Sequence, residues 1–197
     1  MDKKFLSAVV GTAFLATASS AMAYEAGDMV LRVGAANVNP HASDNLGLDV
    51  EDDTQLGLTG VYMLTSNIGV ELLAATPFKH DIVAGGTKIG ETKQLPPTLS
   101  LQYYPMEASS AFQPYVSAGL NYTTFFSEES VLGDTKLDDS WGLSVGVGMD
   151  YAISDNLLIN AAVWKIDIDT EVSVNGSKVG TQKIDPTVAM ISLGYKF

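Results

Sequence analysis

The stretch Trp141-Gly142-Leu143-Ser144-Val145-Gly146-Val147-Gly148-Met149-Asp150-Tyr151 alternates without a break. Trp141, Leu143, Val145, Val147, Met149 and Tyr151 share one face, while Ser140, Gly142, Ser144, Gly146, Gly148 and Asp150 share the other. A period of two belongs to an extended strand, whose successive side chains point to opposite sides. One side here is lipid-like, and the other is small and polar.

Working outward, eight segments carry the same period: Asp28 to Val38, Thr54 to Leu64, Ile68 to Phe78, Gln94 to Tyr104, Phe112 to Phe126, Ser140 to Ala152, Leu157 to Val174, and Lys178 to Phe197. Beyond the apolar N-terminal stretch, the longest charge-free run, Ala108 to Ser127, is long enough for a membrane helix but contains Gln113, Pro114 and Asn121, poor company for lipid on every side. Read with a period of two it becomes orderly, with Val116, Ala118, Leu120 and Tyr122 on one face. No intervening segment reads as a long amphipathic helix.

The connections alternate in length. Asn39 to Asp53, Lys79 to Lys93 and Ser127 to Asp139 are long and polar; Thr65-Ser66-Asn67, Pro105 to Ala111 and Ile153 to Asn156 are shorter, and Asn175-Gly176 marks a tight hairpin. An all-β, eight-stranded antiparallel transmembrane barrel makes this pattern, with short periplasmic turns and longer extracellular loops. A soluble barrel of lipocalin type would share the period with its apolar face turned inward around a ligand. Periodicity alone leaves both open.

Residues 1–23 read as a cleaved secretory signal: Lys3 and Lys4 supply the positive start, Phe5 to Ala18 the apolar stretch, and Ala21-Met22-Ala23 the small residues of the cleavage site. The barrel domain would then be residues 24–197, and its net charge would shift from -12 to -13. Lys and Arg number 11 against 23 Asp and Glu, which excludes the basic footprint of nucleic-acid binding. With no cysteine and two histidines, the disulfide framework, the zinc finger and the cysteine nucleophile are excluded, and no cofactor is called for.

The ending favours the membrane barrel. Ala189, Ile191, Leu193, Tyr195 and Phe197 alternate to a terminal aromatic residue, which resembles the assembly signal of bacterial outer-membrane barrels. Tyr62, Tyr103, Tyr122, Trp141, Tyr151 and Tyr195 at strand ends suit aromatic girdles. Further stretches resemble the OmpW family of outer-membrane proteins: Glu25-Ala26-Gly27, the run Asn67 to Phe78, Leu95-Pro96-Pro97-Thr98-Leu99, Phe112-Gln113-Pro114-Tyr115-Val116, Asn121 to Phe126, Asp138-Asp139-Ser140-Trp141-Gly142, Trp164 with Asp167-Ile168-Asp169-Thr170, and Gly194-Tyr195-Lys196-Phe197.

The resemblance implies an outer-membrane location in a Gram-negative bacterium and a narrow apolar channel for small hydrophobic molecules. In some members it implies a stress or colicin-receptor role. By motif match it points to Leu73 and Trp164 as the channel constriction. The implied partners are outer-membrane lipid and lipopolysaccharide, hydrophobic solutes and, at the external loops, phage or colicin. A structural or receptor barrel that transports nothing is the alternative.

With lipid-facing positions set by alternation, the lumen receives Gln55, Val61, Met63, Leu73, Ala75, Leu158, Val188 and Met190. Eight strands are too few for a wide aqueous pore. The inward charges Arg32, Glu71, Asp150 and Lys196 all fall toward the periplasmic end, so they are expected to pair into an ionic plug below an apolar upper lumen, turning a hydrophobic solute sideways into the membrane. In the seventh segment, alternation puts Trp164 inside but Lys165, Asp167 and Asp169 on the lipid side. Either the strand has left the membrane there or a bulge reverses its facing. His41-Ala42-Ser43 and His80-Asp81 lack an orienting third partner and read as solvated loop residues, not as an active site. Asp138, Asp139, Asp167, Asp169 and Asp185 read as a solvated acidic rim in preference to a divalent-cation site.

Overall fold

The computed structural model of the protein describes residues 23–41, 48–131 and 133–197. The expected signal lies outside them as far as residue 22. The described strands, in chain order, are β1 (Met29–Asn39), β2 (Leu48–Val50), β3 (Asp53–Met63), β4 (Ile68–Ala75), β5 (Phe78–Ala84), β6 (Thr87–Leu95), β7 (Thr98–Tyr103), β8 (Phe112–Ser130), β9 (Thr135–Leu137), β10 (Ser140–Ala152), β11 (Leu157–Ile166), β12 (Asp169–Val174), β13 (Ser177–Lys183) and β14 (Thr187–Lys196).

Eight of them close a barrel. The antiparallel order β10-β11-β14-β1-β3-β4-β7-β8 returns to β10 through the β8–β10 ladder, so no edge is left to the lipid. Alternation sets the facing. On β10, Trp141 is 74% exposed and Leu143, Val145 and Val147 are exposed with it, whereas Ser140, Ser144 and Asp150 are buried. The large apolar residues therefore coat the outside, the reverse of a lipocalin-type barrel. Tyr122 and Trp141 pack 4.8 Å apart at the external end, and Tyr195 and Phe197 meet edge-on at 4.8 Å at the other.

The external connections are more ordered than expected. Lys79 to Lys93 is not a loop but the hairpin β5–β6, turned at Gly85 and Gly86, both at positive φ. β6 pairs with the upper half of β8, and β13, β12 and β9 form a separate three-stranded sheet. Asn175 and Gly176 make the expected tight turn, with φ of 51° and 76°. The seventh segment resolves without a reversal: Trp164, Ile166, Ile168, Thr170 and Val172 are all buried while Lys165, Asp167 and Asp169 stay exposed. A register shift comes only between Val172 and Ser173. This wall continues past the barrel rim as β12, and its outward charges belong to that extension.

Candidate functional site

Alternation on β1, β4 and β10 turns Arg32, Glu71 and Asp150 inward, and closure of the barrel brings them together. Arg32 Nη2 lies 2.6 Å from Asp150 Oδ2 and Nη1 lies 3.4 Å from Glu71 Oε1, with all three side chains out of contact with solvent. Arg32 also donates to Tyr104 Oη at 2.9 Å and stands 5.4 Å from the centre of the Tyr115 ring. Asp150 accepts two further bonds at 2.8 Å, from Tyr24 Oη and from Asn160 Nδ2. Tyr104 passes a 2.6 Å bond on to Gln102. A buried carboxylate keeps its charge only with such partners. Together with the packed Tyr24, Tyr104 and Tyr115 rings, this network fills the periplasmic end of the lumen.

Lys196 is not part of it. Its ammonium pairs with Asp28 at 3.5 Å near the rim, where both remain partly exposed. As the last barrel residue it sits below the level where the tilted strands bring the other three together. The expected balance of two cations and two anions is thus corrected to one guanidinium facing two carboxylates. Tyr24, Tyr104 and Tyr115 were not singled out by sequence, and only the inward parity of Tyr115 on β8 hinted at a role.

Of the expected apolar lining, Val61 and Met63 are buried toward the periplasmic end, with Val61 opposite Glu71 and Met63 opposite Gly69. Val188 and Met190 lie on the external side. Trp164 points inward, between Gly146 on β10 and Val188 on β14. Its indole needs the bare backbone at Gly146: a Cβ there would stand 2.4 Å from Trp164 Cδ1 and 2.5 Å from Ser117 Oγ. Leu73 is buried on β4 and shares a small void of about 10 Å³ with Phe78, Ile166, Val188 and Pro96.

The wall is interrupted beside Leu73. The β4–β7 ladder stops at Leu73↔Thr98 and the β5–β6 ladder begins at Phe78↔Gln94. Residues 74–77 face 95–97 across the break, and Pro77, Pro96 and Pro97 have no N–H to donate across it. Side chains of Asn121 and Thr98 satisfy the Pro96 carbonyl instead, at 3.1 and 3.2 Å.

Above this level, between the β5–β6 hairpin and the β9–β12–β13 sheet, lies a largely apolar cavity of about 280 Å³, with Ile82, Ile89, Phe125, Leu137 and Val172 in its wall. His80 also lines it, and the expectation of a solvated loop residue is corrected: the ring is buried in β5, with Nδ1 2.7 Å from the Glu51 carbonyl and Nε2 2.9 Å from Gln94 Nε2. Burial pushes its pKa below the ordinary value, against the opposing pull of the Glu51 carbonyl, Asp53 and Asp52, so the ring is neutral at neutral pH. His41 is exposed, and Ala42 and Ser43 lie outside the described residues. Among the described residues no three carboxylates or imidazoles converge as a metal site.

The family model described as the OmpW family matches residues 25–197. Outer membrane protein W of Vibrio cholerae is 46% identical over 213 residues, covering 96% of this chain and 98% of that protein. Outer membrane protein W of Escherichia coli is 46% identical over 216 residues, covering both chains completely. The crystal structure of the outer membrane protein OprG from Pseudomonas aeruginosa superposes with a TM-score of 0.79 at 44% identity, over 90% of this chain and 99% of that one.

Proposed function

The chain belongs to the OmpW family of outer-membrane proteins, and from that premise we propose that it admits small hydrophobic molecules from the external side and releases them sideways into the membrane. The observation that carries this reading is the order of features along the lumen. An apolar external cavity comes first, then the buried, inward Leu73 and Trp164, which this reading takes as the constriction, with a proline-lined break in the wall at that level and a buried ionic cluster below.

Each feature has a physical consequence for an apolar solute. The cavity offers it a largely apolar surface, worth roughly 25 cal/mol per Å² buried. The plug of Arg32, Glu71 and Asp150 gives it no further apolar path and would lose its hydrogen bonds to any solute that displaced them. At the break, residues can separate without sacrificing N–H donors, because the prolines have none to give across it and the Pro96 and Pro97 carbonyls bond instead to β8 and Thr98. The break is shut in this structure, so release requires Leu73 and Phe78 to move aside. The reading contains no catalytic step.

The test is the rate of naphthalene entry into cells whose lipopolysaccharide leaflet otherwise excludes it. Expression of the chain is expected to raise that rate, and Leu73→Trp to return it to the level of cells without the protein. Equal rates with and without the chain would leave the structural or receptor barrel, whose external loops meet phage or colicin, as the reading.

A further inference from the structure

Tyr24 is buried, yet it stands at the end of a segment that is not. Glu25, Ala26 and Gly27 are exposed and belong to no strand, and they carry Tyr24 back from the start of β1 to the ionic cluster. There its hydroxyl donates to Asp150 at 2.8 Å, its ring lies 5.2 Å from that of Tyr104, and its N–H donates to the carbonyl of Ala108, in the turn between β7 and β8, at 3.3 Å. A large buried side chain on an exposed tether is held in place by what it touches, and by little else.

The tether has one bend and few ties. Gly27 takes a φ of 99°, which a side chain would oppose, although a Cβ there would meet no heavy atom within 4 Å among the described residues. On the barrel side of the bend the β1–β3 pairing ends in two bonds, from Gly27 N–H to the Met63 carbonyl and from Met63 N–H to the Asp28 carbonyl. On the far side Tyr24 has Asp150, Tyr104 and Ala108. The Ala23 carbonyl accepts a bond from Lys196 at 2.7 Å, a tie that cleavage after Ala23, the site expected from the sequence, would remove. If Tyr24 leaves, Asp150 keeps its bonds from Arg32 and Asn160, and water replaces the third.

We propose that residues 24–28 are a latch on the periplasmic end of the lumen, with Tyr24 as its bolt and Gly27 as its hinge. Latched, Tyr24 covers Asp150 and completes the closure of that end. Swung out about Gly27, it opens the Arg32–Asp150 pair to periplasmic water and small polar solutes while the pair itself stays in place. This goes beyond the channel reading, because it concerns the end of the lumen that an apolar solute does not use, and it stands whether or not such a solute passes.

The chain has no cysteine, so a single introduced one reports access alone. Ala152→Cys puts a thiol two residues below Asp150 on the inward face of β10, where Ala152 is 3% exposed; Val188→Cys puts one on the external side of the lumen, where Val188 is 4% exposed. Reaction of each thiol with a cationic methanethiosulfonate is timed on the full chain in micelles, where both ends of the barrel meet the reagent, with folding checked by heat-modifiable gel mobility. Tyr24→Ala is expected to speed labelling of the Ala152→Cys thiol by about a hundredfold, through loss of the buried ring. Gly27→Ala, which strains only the bend, is expected to speed it by about tenfold. Neither change is expected to move the Val188→Cys thiol. An equal rise at both thiols would mean that Tyr24 merely holds the whole barrel together, and an Ala152→Cys thiol indifferent to both changes would mean that the end is sealed without it; either result overturns the latch. Where Tyr24→Ala fails to fold, Gly27→Ala decides, since it leaves Tyr24 and its partners in the chain.

Discussion

Arg32 holds two carboxylates in a place that water does not reach, so its removal does more than delete two ion pairs. Arg32→Met leaves Glu71 and Asp150 buried and uncompensated and is expected to cost about 3–5 kcal/mol, read as a lower urea midpoint in lipid vesicles. Adding Glu71→Gln and Asp150→Asn to it should recover most of that loss; a triple variant no more stable than the single one would show that Arg32 acts by packing alone. His80 yields a pH effect with a definite sign. Its folded pKa lies below the ordinary 6.5, so as pH falls below 6.5 the unfolded hairpin binds more protons than the folded one, and stability is progressively lost until the lowered folded value is passed. The groups facing the ring are the Glu51 carbonyl, Gln94 and the carboxylates of Asp52 and Asp53. Amide exchange in β5 and β6, corrected for intrinsic rates, should therefore accelerate between pH 7 and pH 5 in the wild type, and His80→Leu should flatten that dependence.

At the scale of elements, the proline-lined break between β4–β5 and β6–β7 is the part of the wall with the least holding it shut. Replacing Pro77, Pro96 and Pro97 by Val returns three N–H donors to the region. The ladder is then expected to extend across residues 74–77, and naphthalene entry to fall several-fold while the fold gains stability, at about 0.5–1.5 kcal/mol for each bond made. Unchanged entry would place the exit elsewhere. The β5–β6 hairpin was legible in principle, since Gly85-Gly86 between residues able to pair is a turn signal, but the surrounding charges made Lys79 to Lys93 read as loop. Those charges are used across the hairpin: Lys88 lies 2.8 Å from both Asp81 and Glu91, and its ammonium and that of Lys79 hold the Glu91 carboxyl down to about 2. The extension of the seventh segment beyond the rim left its trace in Lys165, Asp167 and Asp169 on the lipid-facing parity, but the period could not separate it from a bulge, because a strand that leaves the membrane keeps the period of one that does not.

Taken whole, the molecule is apolar on the outside and mixed within. Its 46% hydrophobic content goes into both the lipid coat and the lumen, and its long external connections carry much of the excess acid. Val147, exposed midway between Trp141 and Tyr151 on β10, tests this arrangement. Val147→Arg should destabilise the barrel in bilayers by about 2–4 kcal/mol, the cost of a cation near the midplane. A loss below 1 kcal/mol in vesicle unfolding would mean that this face does not lie in the hydrocarbon.

By itself the sequence determined the eight strands, the turns at the periplasmic end and the one face shared by Arg32, Glu71, Asp150, Leu73 and Trp164. A period of two, a property of neighbouring residues, sorts the side chains into two faces, and the alternating ending Ala189 to Phe197 marks which of them meets lipid. Which inward groups meet was decided only by the tertiary structure. Arg32 reaches Glu71 and Asp150 across 39 and 118 residues of chain, while Lys196, of the same parity, stops at Asp28. The external cavity likewise exists only once a hairpin and a separate sheet stand together at the barrel mouth. Strand tilt and stagger set those encounters, and they arise from closing the whole sheet, so no local stretch of sequence records them.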